Sequence, residues 1–233
     1  MLCDATMTAP VPLPTGEALA TLAHELRDPL AAILIALELH SGDGDAAARR
    51  TLRMAAHQAQ RAVRIVDDLF DLCAGSRDCL PLCKEVVDLA AVVAGATEAT
   101  AHLLAARGHR LTVSLPAGPV SLVADPVRLE QVLANLLANA AKFTDPGGDI
   151  RLTAQAEAGQ VVLRVRDNGR GIDPELLPRV FDPFWQGPES QPARGLGLGL
   201  ALVRSLVELH GGSVAARSDG PGTGAEFIVR LPA

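Results

Sequence analysis

Two long stretches of three-and-four spacing occupy the first third of the chain and restrict that part to paired helices. Leu19, Leu22, Leu26, Leu30, Ile33 and Leu37 recur as on a helix that buries one stripe. Ser41-Gly42-Asp43-Gly44-Asp45 interrupts the run with turn-forming residues. Leu52, Ala56, Ala59, Val63, Val66, Phe70 and Cys73 then resume it. Helices from Glu17 to about His40 and from about Ala46 to Ala74 would form an antiparallel hairpin. A hairpin alone leaves a long apolar seam in water, so a second copy of the chain is expected to close it into a four-helix bundle.

From Lys84 the periodicity turns to mixed α/β. Residues 86–93 mix strand and helix signals, and Ala94 to Ala106 is helical. Leu111 to Leu115 alternates as a strand. Asp125-Pro126 opens a helix reaching about Phe143, with proline at its first position. Ile150 to Ala156 and Val161 to Arg166 are strands across a tight turn. Gly199 to His210 is a helix, and Ser213 to Arg217 with Glu226 to Leu231 form a closing strand pair around a Gly/Pro-rich turn. At 233 residues and 48% hydrophobic content, the chain can bury one sizeable core plus a smaller module. The expected division is residues 1–15, a loose arm; 16–75, the helical hairpin; 76–84, a linker; and 85–233, a mixed α/β domain. The fold class is therefore α plus α/β.

Composition removes several function classes. A net charge of -6 argues against nucleic acid and against an anionic membrane. No apolar run approaches the roughly 20 residues that span a bilayer, and no signal peptide is visible, which points to the cytoplasm. Cys73, Cys79 and Cys83 cluster, but no histidine or fourth cysteine completes a zinc spacing, so reduced, chemically idle thiols are expected.

Chemistry enters at His24-Glu25-Leu26-Arg27-Asp28-Pro29-Leu30. At about 100° per residue, His24 lies roughly 160° from the centre of the apolar stripe and faces water. Glu25 and Asp28 place carboxylates beside it, an arrangement that leaves an imidazole available as a nucleophile. Pro29 lacks the N–H that would bond the Glu25 carbonyl and should bend the helix there. The other histidines, His40, His57, His102, His109 and His210, read as surface or packing residues.

A second cluster lies far downstream. Asn135 and Asn139 sit four apart on one helix face, with Lys142 at the next turn. A neutral amide oxygen can ligate Mg²⁺, and a lysine offers a point charge to phosphate. Asp167-Asn168-Gly169-Arg170-Gly171-Ile172 follows a strand directly, so that its carboxylate can accept from an adenine amino group while the glycines let the backbone approach the base. Gly195-Leu196-Gly197-Leu198-Gly199-Leu200 opens a helix, where free amides and the dipole favour phosphate. Between these lies Asp173 to Arg194, irregular and carrying the only tryptophan, Trp185, which reads as a lid. Singly each patch has a plain structural reading as cap, turn or tight packing. Their order along helix, strand end and helix start points to a triphosphate site.

Taken together, HELRDPL, NLLANAAKFT, DNGRGI, FDPFWQ and GLGLGL resemble the phosphoacceptor and ATP-site boxes of two-component sensor histidine kinases, in that family's order. The resemblance, from roughly Leu19 to the C-terminus, implies a dimerisation and phosphoacceptor hairpin followed by an ATP-binding α/β sandwich of the gyrase/chaperone/kinase/mismatch-repair type. It implies ATP and Mg²⁺, with Asn139 as metal ligand and with Asn135 and Lys142 on the phosphates. Asp167 would read adenine, helped by Gly169, Gly171 and Ile172. Phe181 and Phe184 would anchor the lid, and Arg194, Gly195, Leu196, Gly197, Leu198 and Gly199 would flank the triphosphate. His24 would attack the γ-phosphorus with Glu25 as base.

The implied partners are a second copy, the receiver domain of a response regulator, and a separate sensor protein or domain. Nucleic acid and direct membrane insertion of this chain are not implied. Asp28 departs from the family's usual Thr or Asn. Its charge would repel an incoming phosphoryl group, so weak phosphatase activity is expected. Two other readings are a clamp-type ATP hydrolase and a degenerate dimeric scaffold. The hydrolase would carry a glutamate base where this chain has Asn135.

Overall fold

A computed structural model describes residues 82–157, 159–187 and 197–233, together with helical positions 26, 29–33, 35, 51, 55, 58, 59 and 62. In the first helical stretch Pro29 is buried while Leu30 is 52% exposed in the single chain. The remainder of the hairpin, including the Ser41–Asp45 turn, lies outside the described residues.

The α/β part begins with strand β1 (Glu85–Asp88), which feeds helix α1 (Leu89–Ala106) through an Asp88 cap on the Ala90 N–H. Strands β2 (Arg110–Ser114) and β3 (Ser121–Ala124) follow. Helix α2 (Pro126–Phe143) is capped by Asp125, whose side chain accepts from the Arg128 N–H, and has proline in its first turn, as the sequence predicts. Then come β4 (Asp149–Glu157), β5 (Gln160–Asp167), a 3₁₀ turn at Leu177–Arg179, helix α3 (Gly199–Leu209), β6 (Ser213–Arg217) and β7 (Glu226–Pro232).

Five strands form one sheet in the order β2-β4-β5-β7-β6, with β2 parallel to β4 and the other pairs antiparallel. The register stacks Val113, Leu152, Val165, Phe227 and Ala216 across one face. Leu129, Val132, Leu133, Leu136 and Leu137 of α2 and Leu202, Val203, Leu206 and Val207 of α3 cover that face, each under 2% exposed. The α/β sandwich read from the sequence is this arrangement.

Two features depart from the sequence expectation. Residues 121–124 form a strand that the alternation did not announce. It pairs with β1 in a separate two-stranded sheet, Glu85 opposite Ala124 and Asp88 opposite Ser121. The partner is 35 residues away, so no local pattern reveals it. Helix α1 also starts five residues earlier than expected, at the Asp88 cap. It is the one described helix long and apolar enough to cross a membrane by length and composition, at mean hydropathy 1.4. Its Leu89, Val92, Val93, Ala96 and Leu104 are instead buried in the sandwich core.

Candidate functional site

Helix α2 is the spine of the site. While one face fills the core, Asn135, Asn139 and Lys142 lie half-buried on the next. Neither asparagine amide hydrogen-bonds another described residue. Asn135 looks across at the start of α3, where a side chain grown from Gly199 would come within 3.7 Å of its Oδ1. That helix start differs from the other two. Asp88 and Asp125 cap α1 and α2, whereas α3, starting at Gly199, has no side-chain cap. Its first amides are thus left for an anion.

At the other end of α2, roughly 12 Å along its axis from Asn135, the chain meets Asp167. This carboxylate is 6% exposed at the end of β5. Its Oδ1 accepts from the N–H groups of Gly169 (2.9 Å) and Ala225 (3.3 Å). Oδ2 has no partner among the described residues, so one oxygen is locked and the other is available. Burial pushes the Asp167 carboxyl up from its ordinary range, against the two backbone hydrogen bonds that pull it down. A buried acceptor with half its capacity unused suits a ligand donor such as an exocyclic amino group.

The glycines beside Asp167 hold neighbouring loops together. A side chain at Gly169 would strike the Phe143 carbonyl, and one at Gly171 would strike the Gly220 carbonyl. Their nearest neighbours are protein backbone, so they let three loops close on one another. The Arg170 N–H donates to Phe143 O (3.1 Å), Gly222 N–H to Arg170 O (2.6 Å) and Gly224 N–H to Gly169 O (3.0 Å). The Ile172 N–H is held by Ser218 Oγ at 3.0 Å. Phe143 carries two cations on its ring, Lys142 Nζ at 4.6 Å and Arg170 Cζ at 4.2 Å from the centroid.

The segment read as a lid is anchored through its first half. Phe181 is 9% exposed and sits edge-on to Phe227 of β7, with ring centroids 6.2 Å apart. Phe184 adopts φ +62, rare for a bulky residue, and its N–H donates to Gly197 O at 3.1 Å. Gly197 packs on the backbone of Phe184 and Trp185, so the chain leaves and returns at one neck. Arg194, Gly195 and Leu196 lie outside the described residues, as do His24, Glu25 and Asp28.

Sequence reasoning missed Phe143, Arg170, Ser218 and the Gly222-Thr223-Gly224 turn as parts of this site. The turn has a signal in the sequence, a run of closely spaced glycines between two strands. Also missed were Arg107, whose Nη1 donates to Ala141 O (2.7 Å) and Lys142 O (2.8 Å), and His109, whose Nε2 lies 2.9 Å from Ala141 O. Both cap the end of α2 from the turn after α1, across more than 30 residues.

Residues 124–233 match the family of histidine kinase-, DNA gyrase B-, and HSP90-like ATPases, and residues 15–73 match the His Kinase A (phospho-acceptor) domain. The probable sensor histidine kinase TcrY of Mycobacterium tuberculosis is 39% identical over 217 residues, covering 91% of this chain and 45% of TcrY. Full-length ShkA, solved in complex with AMPPNP, is 30% identical with a TM-score of 0.70, covering 94% of this chain and 46% of ShkA. ThkA, solved in complex with the response regulator protein TrrA, shares the fold at 22% identity and a TM-score of 0.64, covering 93% of this chain and 61% of ThkA. The chain spans less than half the length of the curated relatives it matches. A phospho-acceptor domain and a histidine kinase-like ATPase domain follow one another in this chain, and together they make it the catalytic core of a sensor histidine kinase.

Proposed function

We propose that the chain is an ATP-dependent, autophosphorylating protein histidine kinase that passes its phosphoryl group to an aspartate of a response regulator. One observation carries the reading. A phospho-acceptor segment containing His24 is joined in one chain to a cradle whose carboxylate and amides the protein leaves unmatched. The working division is residues 1–15, 16–75, 76–84 and 85–233.

In this mechanism Asp167 Oδ2 accepts from the adenine amino group while Oδ1 stays held by Gly169 and Ala225. The uncapped amides of α3 at Gly199, with Asn135 facing them, take phosphate oxygens, and Lys142 further along α2 offers a charge to the same group. Asn139 fits Mg²⁺, being a half-buried neutral amide oxygen donor, and no described trio of His, Cys, Asp or Glu offers a competing cage. The ion would be held by Asn139 and the nucleotide's own phosphates, where it supplies neutralisation of the bridging charge. An imidazole nitrogen of His24 attacks the γ-phosphorus as the bond to the β–γ bridging oxygen breaks. ADP leaves, and Glu25 accepts the imidazole proton.

Asp28 follows His24 by four residues in the sequence, and its charge would disfavour water-driven removal of phosphate from the partner. The half-exposed Leu30 supports a homodimer that covers the hairpin seam. The ThkA–TrrA pairing supports a receiver domain as acceptor. The chain works in the cytoplasm.

The clamp-type hydrolase is disfavoured by one contact. The only acid on α2, Glu130, lies against Gly95 of α1, away from the site face, so no carboxylate stands where a water-activating base would. Incubation with γ-labelled ATP tests the proposal. Acid-labile label should appear on the chain and vanish in His24→Ala. Release of free phosphate without labelled chain, or label persisting in His24→Ala, would overturn it.

A further inference from the structure

Far from the nucleotide end of the domain, two polar residues are buried where apolar ones would pack, and both engage the point at which the chain enters the α/β fold. Asp125 is 7% exposed and His210 4%. Asp125 Oδ1 caps α2 through the Arg128 N–H at 3.1 Å, while Oδ2 accepts from the N–H of Cys83 at 3.0 Å, 42 residues upstream. The Asp125 N–H donates to His210 Nε2 at 3.0 Å, and His210 Nδ1 lies 2.8 Å from Leu206 O in the last turns of α3. Because Nε2 accepts, the imidazole is neutral with its proton on Nδ1, donated to Leu206. Lys84 Nζ, next along the linker, donates to Leu209 O at 3.1 Å. One knot therefore gathers the linker, the start of α2 and the end of α3.

Those two helices carry the site. α2 bears Asn135, Asn139 and Lys142, and α3 begins at Gly199, roughly 16 Å along its axis from His210. A nucleotide that grips α2 and the start of α3 fixes their relative position, and the knot fixes the same pair from the opposite end. We infer that His210 is a positioning residue. Through Asp125 it couples the placement of the linker at Cys83 to nucleotide occupancy, so that each biases the other. A purely structural filler at position 210 would stabilise the core without this reciprocity. The inference rests on the nucleotide reading of the cradle, and the test separates the two.

The measurement uses the full chain. Hydrogen exchange of the peptide containing the Cys83 amide is followed with and without saturating Mg-ADP, with ADP binding measured in parallel by calorimetry. Wild type should show exchange slowed at least fivefold by ADP. His210→Gln, which keeps an acceptor near the Nε2 position, should retain most of that protection. His210→Asn keeps the donor to Leu206 O but lacks the acceptor, and should bind ADP while losing the protection. If ADP does not bind wild type, the nucleotide reading itself fails. ADP binding that leaves wild-type Cys83 exchange unchanged, or equal protection in His210→Asn and wild type, overturns the coupling. Should His210→Asn fail to fold, His210→Leu, which also lacks the acceptor, is measured in its place, and protection equal to wild type in that variant overturns the coupling.

Discussion

Asp149 and Asp167 lie at neighbouring positions of the same antiparallel pair, Asp167 opposite Ile150, and they could hardly be treated more differently. Asp149 is exposed and held by both Nε (2.8 Å) and Nη2 (2.9 Å) of Arg110, a pairing that draws its carboxyl below the ordinary range. Asp167 is buried, has no ion pair among the described residues, and is pushed upward by desolvation. Asp149 has its hydrogen-bonding satisfied by the protein. Asp167 is left half-satisfied at a cost to the fold, and buried groups left in that state mark places where a ligand completes the structure.

The largest break in this comparison should come from Asp167→Asn. The amide keeps an oxygen for Gly169 and Ala225 but turns an N–H towards the adenine amino group. Losing a hydrogen bond to a charged acceptor, about 1.5–3 kcal/mol, weakens ATP binding by about tenfold to a hundredfold in calorimetry. The melting temperature should hold or rise at pH 7, since the variant removes a buried charge. Next in size is Gly224→Ala, whose side chain would strike the Asp167 carbonyl at a backbone φ of +78. A loss of about 2 kcal/mol, or about 5 °C in melting temperature, is expected.

Acid sharpens the contrast because the two signs oppose. A carboxyl with a raised folded value destabilises the fold when ionised, and that cost disappears as pH falls through the raised value. Any melting-temperature advantage of Asp167→Asn should therefore shrink between pH 7 and the usual 3.8. Asp149 has a lowered folded value, so its contribution is present above 3.8 and lost only as pH falls through that lower value. Asp149→Asn gives the smallest effect: ATP affinity within twofold of wild type and a melting temperature within about a degree at pH 7, as expected of a solvent-screened surface pair.

Much of the fold could be read from the chain because its signals are local. Asp125-Pro126 marks the start of α2 by capping and by proline geometry, and the β4–β5 hairpin follows from alternation across a short turn. What stayed hidden depends on distant partners. Ser121–Ala124 is a strand only because β1 accepts it. His210 looks like packing until Asp125, 85 residues earlier, is seen donating to it. The glycines of the Asp167 loop are legible as residues, but the backbone they pack against is not, since the three loops they bring together are separated by more than 20 residues each. Asn135, Asn139, Asp167 and Gly199 were legible because helix spacing and strand ends expose chemistry directly.

The most direct test of the central claim, that α2, the end of β5 and the start of α3 hold an adenine nucleotide, is calorimetry of the full chain with Mg-ATP. Wild type and His24→Ala should bind alike, and Asp167→Asn should bind at least tenfold more weakly. Equal affinity in Asp167→Asn and wild type would contradict the account.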